Sequence, residues 1–154
     1  MRRILLLFLM AVFMLGCSTN EIYRYDKTFE NNTWNRFDFI ELEVPIETAE
    51  NLYDLSIDFI HSAAYTPDHI NLNFTLYFSN GGMRSRDYEF KLKDKNQNWT
   101  GTIVDDNIHH RLPIINKIKI PEAGIQRIRI ENKMTKYDTP GIVGLQVFVN
   151  KSEE

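Results

Sequence analysis

The chain has 154 residues, with 18 Lys and Arg against 21 Asp and Glu, 43% apolar side chains and a single cysteine. That length supports one ordinary domain with its own core and leaves little room for a second. A formal net charge of −3 gives no general attraction to nucleic acid, and one cysteine excludes an internal disulfide framework, so packing alone must hold the fold.

The chain opens on Arg2 and Arg3, an apolar run from Ile4 to Leu15, and then Gly16-Cys17. The run is too short to cross a bilayer as a helix, which needs about 20 residues. With its cationic start it reads as a signal peptide over residues 1–16. Cys17 follows the box Met14-Leu15-Gly16, where a lipoprotein peptidase would leave it as the new N-terminus carrying a diacylglycerol. Acylation also accounts for a lone cysteine in an oxidising compartment. Each buried methylene of the lipid contributes roughly 0.8 kcal/mol, so several acyl chains anchor the protein without a transmembrane helix. The mature chain then carries 16 basic against 21 acidic residues, because the leader removes Arg2 and Arg3. Ser18 after the cysteine points to the outer membrane. With only Glu21 acidic close to the anchor, a periplasm-facing position is expected ahead of the cell surface.

Residues 17–32 are polar with scattered aromatics and are predicted to form the lipidated tether, with a β-sandwich domain over 33–154. Period-two alternation dominates the rest. It runs through Ile40, Leu42 and Val44, and through Leu55, Ile57 and Phe59. The best case is Ile70, Leu72, Phe74, Leu76 and Phe78 alternating with Asn71, Asn73, Thr75 and Tyr77. A one-residue slip there would bury two asparagines, so the register is strongly set. Ser79-Asn80-Gly81-Gly82 supplies the positive torsions of a tight hairpin, returning through Tyr88, Phe90 and Leu92. Later alternation includes Ile118-Ile120, Ile128-Ile130 and Val143-Leu145-Val147-Val149. Pro45, Pro67, Pro113, Pro121 and Pro140 are assigned to connections. Helix is confined to at most one turn at Glu47 to Leu52. About seven or more antiparallel strands predict an all-β, two-sheet sandwich, immunoglobulin-like or jelly-roll, with a small closed barrel as runner-up.

Chemistry-bearing constellations are sparse. His109-His110 after Asp105-Asp106 is the one cluster with metal-ligating residue types, but adjacent strand residues face opposite ways, and zinc needs three or four converging ligands. The pattern reads as a polar loop and no metal is expected. His61 and His69 flank a loop with two readings: it brings them together across a hairpin, or they are ordinary loop polarity. No Gly-x-Ser-x-Gly turn or glycine-rich phosphate loop occurs, so no catalytic residue and no cofactor is implied. Lys117, Lys119, Arg127 and Arg129 alternate as a solvated sheet face does. Trp34, Trp99 and Tyr65 are the candidate interaction surface, with Tyr77 and Phe148 as further outward rings. Aromatic platforms of this kind suit either sugars or a protein partner.

The ordered landmarks resemble the gliding-motility lipoprotein GldH family of Bacteroidetes. They are the leader ending at Cys17, Trp34 before the main strands, Leu52-Tyr53-Asp54-Leu55-Ser56-Ile57, and Tyr65 ahead of Ile70-Asn71-Leu72. Next come Asn80-Gly81, Asp87-Tyr88-Glu89-Phe90-Lys91-Leu92, Trp99-Thr100-Gly101 and Pro121-Glu122-Ala123-Gly124. Met134 and Gly141-Ile142-Val143-Gly144-Leu145-Gln146-Val147 complete the set. This chain departs from the family pattern at Gly144-Leu145-Gln146 and in a more basic hairpin after Gly81. The resemblance implies a non-enzymatic, membrane-anchored envelope lipoprotein that partners other envelope proteins in gliding or its associated secretion system, with no catalytic residues to transfer. The alternative from a different class is a carbohydrate-binding lipoprotein of a polysaccharide-uptake system.

Overall fold

The computed structural model describes residues 20–153; the leader and Cys17 lie outside the described residues. The strands are β1 (Glu21–Thr28), β2 (Thr33–Asn35), β3 (Ile40–Ile46), β4 (Leu52–His61), β5 (His69–Tyr77) and β6 (Met83–Lys91). They continue with β7 (Thr102–Val104), β8 (Asn107–Lys119), β9 (Gly124–Asn132), β10 (Asp138–Pro140) and β11 (Ile142–Lys151). A five-stranded antiparallel sheet runs β1-β11-β4-β8-β7, a four-stranded one β3-β9-β5-β6, and β2 pairs with β10 in a small separate ribbon. Both large sheets keep open edges, so the architecture is the sandwich and not the barrel. Apart from a single 3-10 turn at Glu30–Asn32, no helix occurs among the described residues, and Glu47 to Asn51 is a loop of bends.

The two sheets close on the alternating side chains. Ile40, Leu42, Val44 and Ile46 from β3, Ile70, Leu72, Phe74 and Leu76 from β5, and Ile128 and Ile130 from β9 meet Leu55, Ile57 and Phe59 from β4 and Leu145, Val147 and Val149 from β11. Each such side chain contributes roughly 1.5–3 kcal/mol when removed from water. Tyr88 bridges the sheets by donating its hydroxyl hydrogen to the Ile114 carbonyl at 2.7 Å. Arg84 and Arg86 stand opposite Leu76 and Phe74 but stay exposed, because β6 is an edge strand. Inward-pointing charge on an edge discourages another strand from adding there.

Four local expectations are corrected. Half of the predicted tether is strand: β1 takes Glu21 to Thr28, of which Tyr23 to Thr28 pair with Val149 to Gly144 of β11, and Tyr23 and Tyr25 pack against the core. Strand-forming Tyr and Ile alternate there with charged residues, a signal obscured by the shortness of the run. Pro113 is not a connection but lies inside β8, at an irregularity where Ser56 faces Pro113 and Leu55 faces Ile115. A bulge removes the ladder hydrogen bond that proline cannot make. Pro45 sits within β3 in unbroken register, tolerated because β3 is an edge strand with one side free of a ladder. In β11 the extra residue is Val143, so Ile142 is buried in its place.

The sandwich has two distinct poles. At one, β1 begins beside Asn150, near the β3–β4, β5–β6 and β8–β9 connections. At the other lie the end of β1, the β2–β10 ribbon, and the loops 62–68, 92–101 and 133–137. The candidate chemistry is concentrated at this second pole.

Candidate functional site

Trp34 and Tyr65 are corrected from surface to core: they are 0% and 1% exposed. Trp34 stacks on Phe29 with ring centroids 4.9 Å apart, and its indole Nε1–H donates to the Asp38 carbonyl at 2.8 Å. Tyr65 donates its hydroxyl hydrogen to the His69 carbonyl at 2.7 Å, and burial raises its pKa well above the ordinary tyrosine value. Both aromatics satisfy their one polar atom on a backbone carbonyl. Trp99 is half-buried, in the loop between β6 and β7. The Lys93 ammonium lies 4.2 Å over its ring and buried His61 lies against it at a centroid distance of 4.4 Å. A stacked sugar would therefore have to displace Lys93.

Around Trp99 the structure assembles a cluster that the sequence reading missed. His61 ends β4 on the same face as Leu55, Ile57 and Phe59, and His110 falls on the inward face of β8 with Ile108 and Leu112. Extending the Leu55, Ile57 and Phe59 alternation by one step would have found His61, whereas the irregularity at Pro113 separates His110 from the Ile118-Ile120 run. The two imidazoles meet Nε2 to Nε2 at 3.1 Å, both buried, with Tyr65 and Trp99 packed on them. Their planes are 13° apart and their centroids 5.2 Å apart. The centroid separation exceeds the nitrogen separation by about a ring width, so the rings meet edge to edge.

Partners fix the tautomers. His61 Nδ1–H donates to the Ser62 carbonyl at 2.9 Å, leaving Nε2 as an acceptor, and His110 Nε2–H donates to it. Burial lowers both pKa values. Neighbouring Lys93 lowers that of His61 further, while the backbone bond to Ser62 opposes the shift. Desolvation and then the proximity of His61 push His110 down to about 4, against the opposing pull of Asp58. In this pairing the His110 Nε2 proton occupies the lone pair of His61 Nε2, and two histidines alone fall short of the three or four converging ligands that zinc needs. No group of three metal-ligating side chains converges among the described residues. The pair is a neutral structural hydrogen bond at neutral pH.

The remaining candidates separate. Asp105 and Asp106 are the two central residues of the β7–β8 hairpin, at φ 48° and 65°, a type I′ turn that Asp tolerates, and they do not approach the histidines as ligands. His109 lies within β8, not in a loop, and points out of the five-stranded sheet, where its Nδ1–H donates to Asp58 Oδ2 at 2.8 Å. His69 pairs with neighbouring Asp68 at 2.8 Å, not with His61. Phe148, expected as an outward ring, does face outward but is 7% exposed. The Arg111 guanidinium covers it at 3.6 Å and that of Arg24 approaches to 5.2 Å. Arg129 is engaged by Glu131 at 3.0 Å, and Arg127 lies over Tyr77 at 5.2 Å. A cavity of about 210 Å³ opens at the second pole between Pro67, His69, Asn71, Met134, Lys136 and Pro140. No nucleophile is activated by an oriented base in any of these arrangements.

The profile of a family described as GldH lipoprotein matches residues 21–147. No curated protein matches the chain significantly. Among solved structures the chain is similar to AlgX of Pseudomonas aeruginosa (14% identity, TM-score 0.39, covering 90% of this chain and 27% of that one). It is also similar to a carbohydrate-binding module of family 28 specific for non-crystalline cellulose (15%, 0.39, 83% and 70%). A third is latent dimeric PorU of Porphyromonas gingivalis (13%, 0.35, 88% and 14%). The chain thus spans well under two thirds of the length of AlgX and of PorU.

Proposed function

We propose, given that this chain belongs to the GldH lipoprotein family, that it is a non-enzymatic accessory of gliding motility or its associated secretion machinery and works by binding other envelope proteins. The family match over residues 21–147 carries this reading. The neutral, closed histidine pair and the lack of an oriented nucleophile among the described residues support it. A lipoprotein of this family is a membrane-associated envelope protein. The finer position proposed is the outer membrane, anchored through an acylated Cys17 and facing the periplasm.

Two measurements test the reading. Mass spectrometry of the mature protein should find Cys17 acylated, and Cys17→Ser should move the protein from the membrane to the soluble fraction. Affinity purification of the lipidated protein from native membranes should recover motility or secretion components. Recovering none from a strain that carries them refutes the role. The glycan-binding alternative loses its proposed platforms, since Trp34 and Tyr65 are buried and Trp99 is covered.

A further inference from the structure

The β2–β10 ribbon displays aromatic rings that the core does not use. Phe37 and Tyr137 are 62% and 61% exposed, yet they touch each other edge to face with centroids 5.5 Å apart. Phe39 stands nearby on the same connection, 39% exposed, with the Arg129 guanidinium 4.0 Å over it.

The display is rigidly built. Asn35 to Asp38 form a turn closed by Asp38 N–H donating to the Asn35 carbonyl at 3.0 Å, and the Asn35 side chain accepts from Phe37 N–H at 2.9 Å. Buried Trp34 pins the turn from beneath through the Asp38 carbonyl. Arg36 N–H donates to the Tyr137 carbonyl at 2.8 Å, locking the two loops together. Below them, fully buried Asn132 donates to the Trp34 carbonyl and to Thr139 Oγ1. Exposed aromatics held in place before binding are what interface hot spots use, because little ordering entropy remains to be lost.

Position and charge define the occupant. β1 starts at Glu21, so only Ser18, Thr19 and Asn20 separate it from Cys17, a reach of at most about 14 Å. The pole where β1 begins is therefore held at the membrane surface. β1 then carries the chain eight residues away, about 26 Å, to the pole where Phe37 and Tyr137 stand. Arg36 and Lys136, the immediate chain neighbours of these rings, enter no ion pair among the described residues, while Asp38 is paired with Lys27 at 3.7 Å and Asp138, held by the neutral Asn35 amide at 2.8 Å, keeps one negative charge against these two cations. The patch presents aromatic faces between free cations on a chain whose overall charge is negative.

We infer that the membrane-distal patch formed by Phe37, Tyr137 and Phe39, flanked by Arg36 and Lys136, docks an acidic, apolar-anchored segment of a partner envelope protein. The orientation rests on the lipidation of Cys17 in the proposed function; the patch itself does not. The test uses the full lipidated protein in native membranes, with a photo-crosslinking amino acid in place of Phe37 or, as a control at the membrane-proximal pole, Ile125. The expected result is a crosslink from position 37 to one protein, mapped to an acidic segment, at least tenfold above the control. That crosslink should weaken with added salt and with Arg36→Glu plus Lys136→Glu. A crosslink to glycan, to a second copy of this chain or to a segment without acidic residues overturns the inference, as does a yield no higher than at position 125. In a separate arm, Phe37→Ser plus Tyr137→Ser should abolish recovery of the partner with an unchanged melting temperature; undiminished recovery also overturns it. If the identified partner has no part in motility or secretion, the proposed role fails and the docking surface stands.

Discussion

Acid should destabilise this protein through the His61–His110 pair well before its carboxylates titrate. His110 has its pKa lowered in the fold from the ordinary 6.5 to about 4, and that of His61 is lowered as well. Above pH 6.5 both are neutral in folded and unfolded chains, and the pair contributes no pH dependence. Between 6.5 and 4 the unfolded chain takes up protons that the folded one refuses, so stability falls as pH falls, by up to about 1.4 kcal/mol per pH unit for each histidine. Below about 4 the folded His110 is protonated too and its loss saturates. For His110 the total is about 3 kcal/mol, a large part of the 5–15 kcal/mol that holds a typical domain. Asp68 and Asp94 act in a different window: their hydrogen bonds to His69 and to Asn98 lower their pKa values below 3.8, so what they contribute is lost only at more acid pH. The assay is urea unfolding at pH 7.5, 6.5, 5.5 and 4.5. His110→Gln keeps an amide donor for His61 Nε2 but cannot titrate, so its stability should fall less steeply across this range, at the expense of about 1–2 kcal/mol at pH 7.5. Equal slopes for the two proteins would refute the argument that the buried pair governs acid sensitivity.

Three further substitutions test the local reasoning, each read by urea or thermal unfolding. Gly141→Ala should destabilise by about 3 kcal/mol or more, because φ is +87° there and a Cβ would lie 2.6 Å from Tyr65 Cα, against backbone that cannot move aside. Trp34→Phe should lose about 1–3 kcal/mol by leaving the Asp38 carbonyl without its indole donor, and should loosen the turn that carries Phe37. Asp106→Gly should be stabilising by up to about 1 kcal/mol, since the second position of the type I′ turn, at φ 65°, suits glycine better than any residue with a Cβ. A loss there would show that the Asp106 side chain does more than permit the turn.

The sandwich was legible wherever one strand face is apolar and the other polar, as in β5, where Ile70 to Leu76 sit as the alternation requires. Legibility failed where the period is interrupted. The bulge at Pro113 puts Ile108, His110 and Leu112 out of phase with Ile115, and the one at Val143 buries Ile142 in its place. It failed again in β1, where Arg24, Asp26 and Thr28 make one face so polar that eight residues of strand resemble a linker. For the site, residue type misled. Trp34 and Trp99 drew attention as large rings, but an indole needs a partner for its N–H and a lid for its faces, and the fold supplies them from the Asp38 carbonyl and from Lys93. His110 looked like half of a His-His motif with His109, whereas its partner is 49 residues away on β4.

Moving the domain boundary from Thr33 back to Glu21 changes what the anchor does. With a tether running to residue 32, an extended chain could hold the domain roughly 50 Å from the lipid in any orientation. Strand pairing of β1 with β11 removes that freedom, and with Cys17 acylated, as proposed above, the shortened reach would set which pole meets the membrane. The same pairing gives the boundary a mechanical role. Residues 23–28 cannot be drawn out to extend the reach without breaking the ladder to Val149 through Gly144 and exposing Tyr23 and Tyr25 to water. On the docking surface proposed above, a partner would then come to Phe37 and Tyr137 within a shell set by the domain's own length.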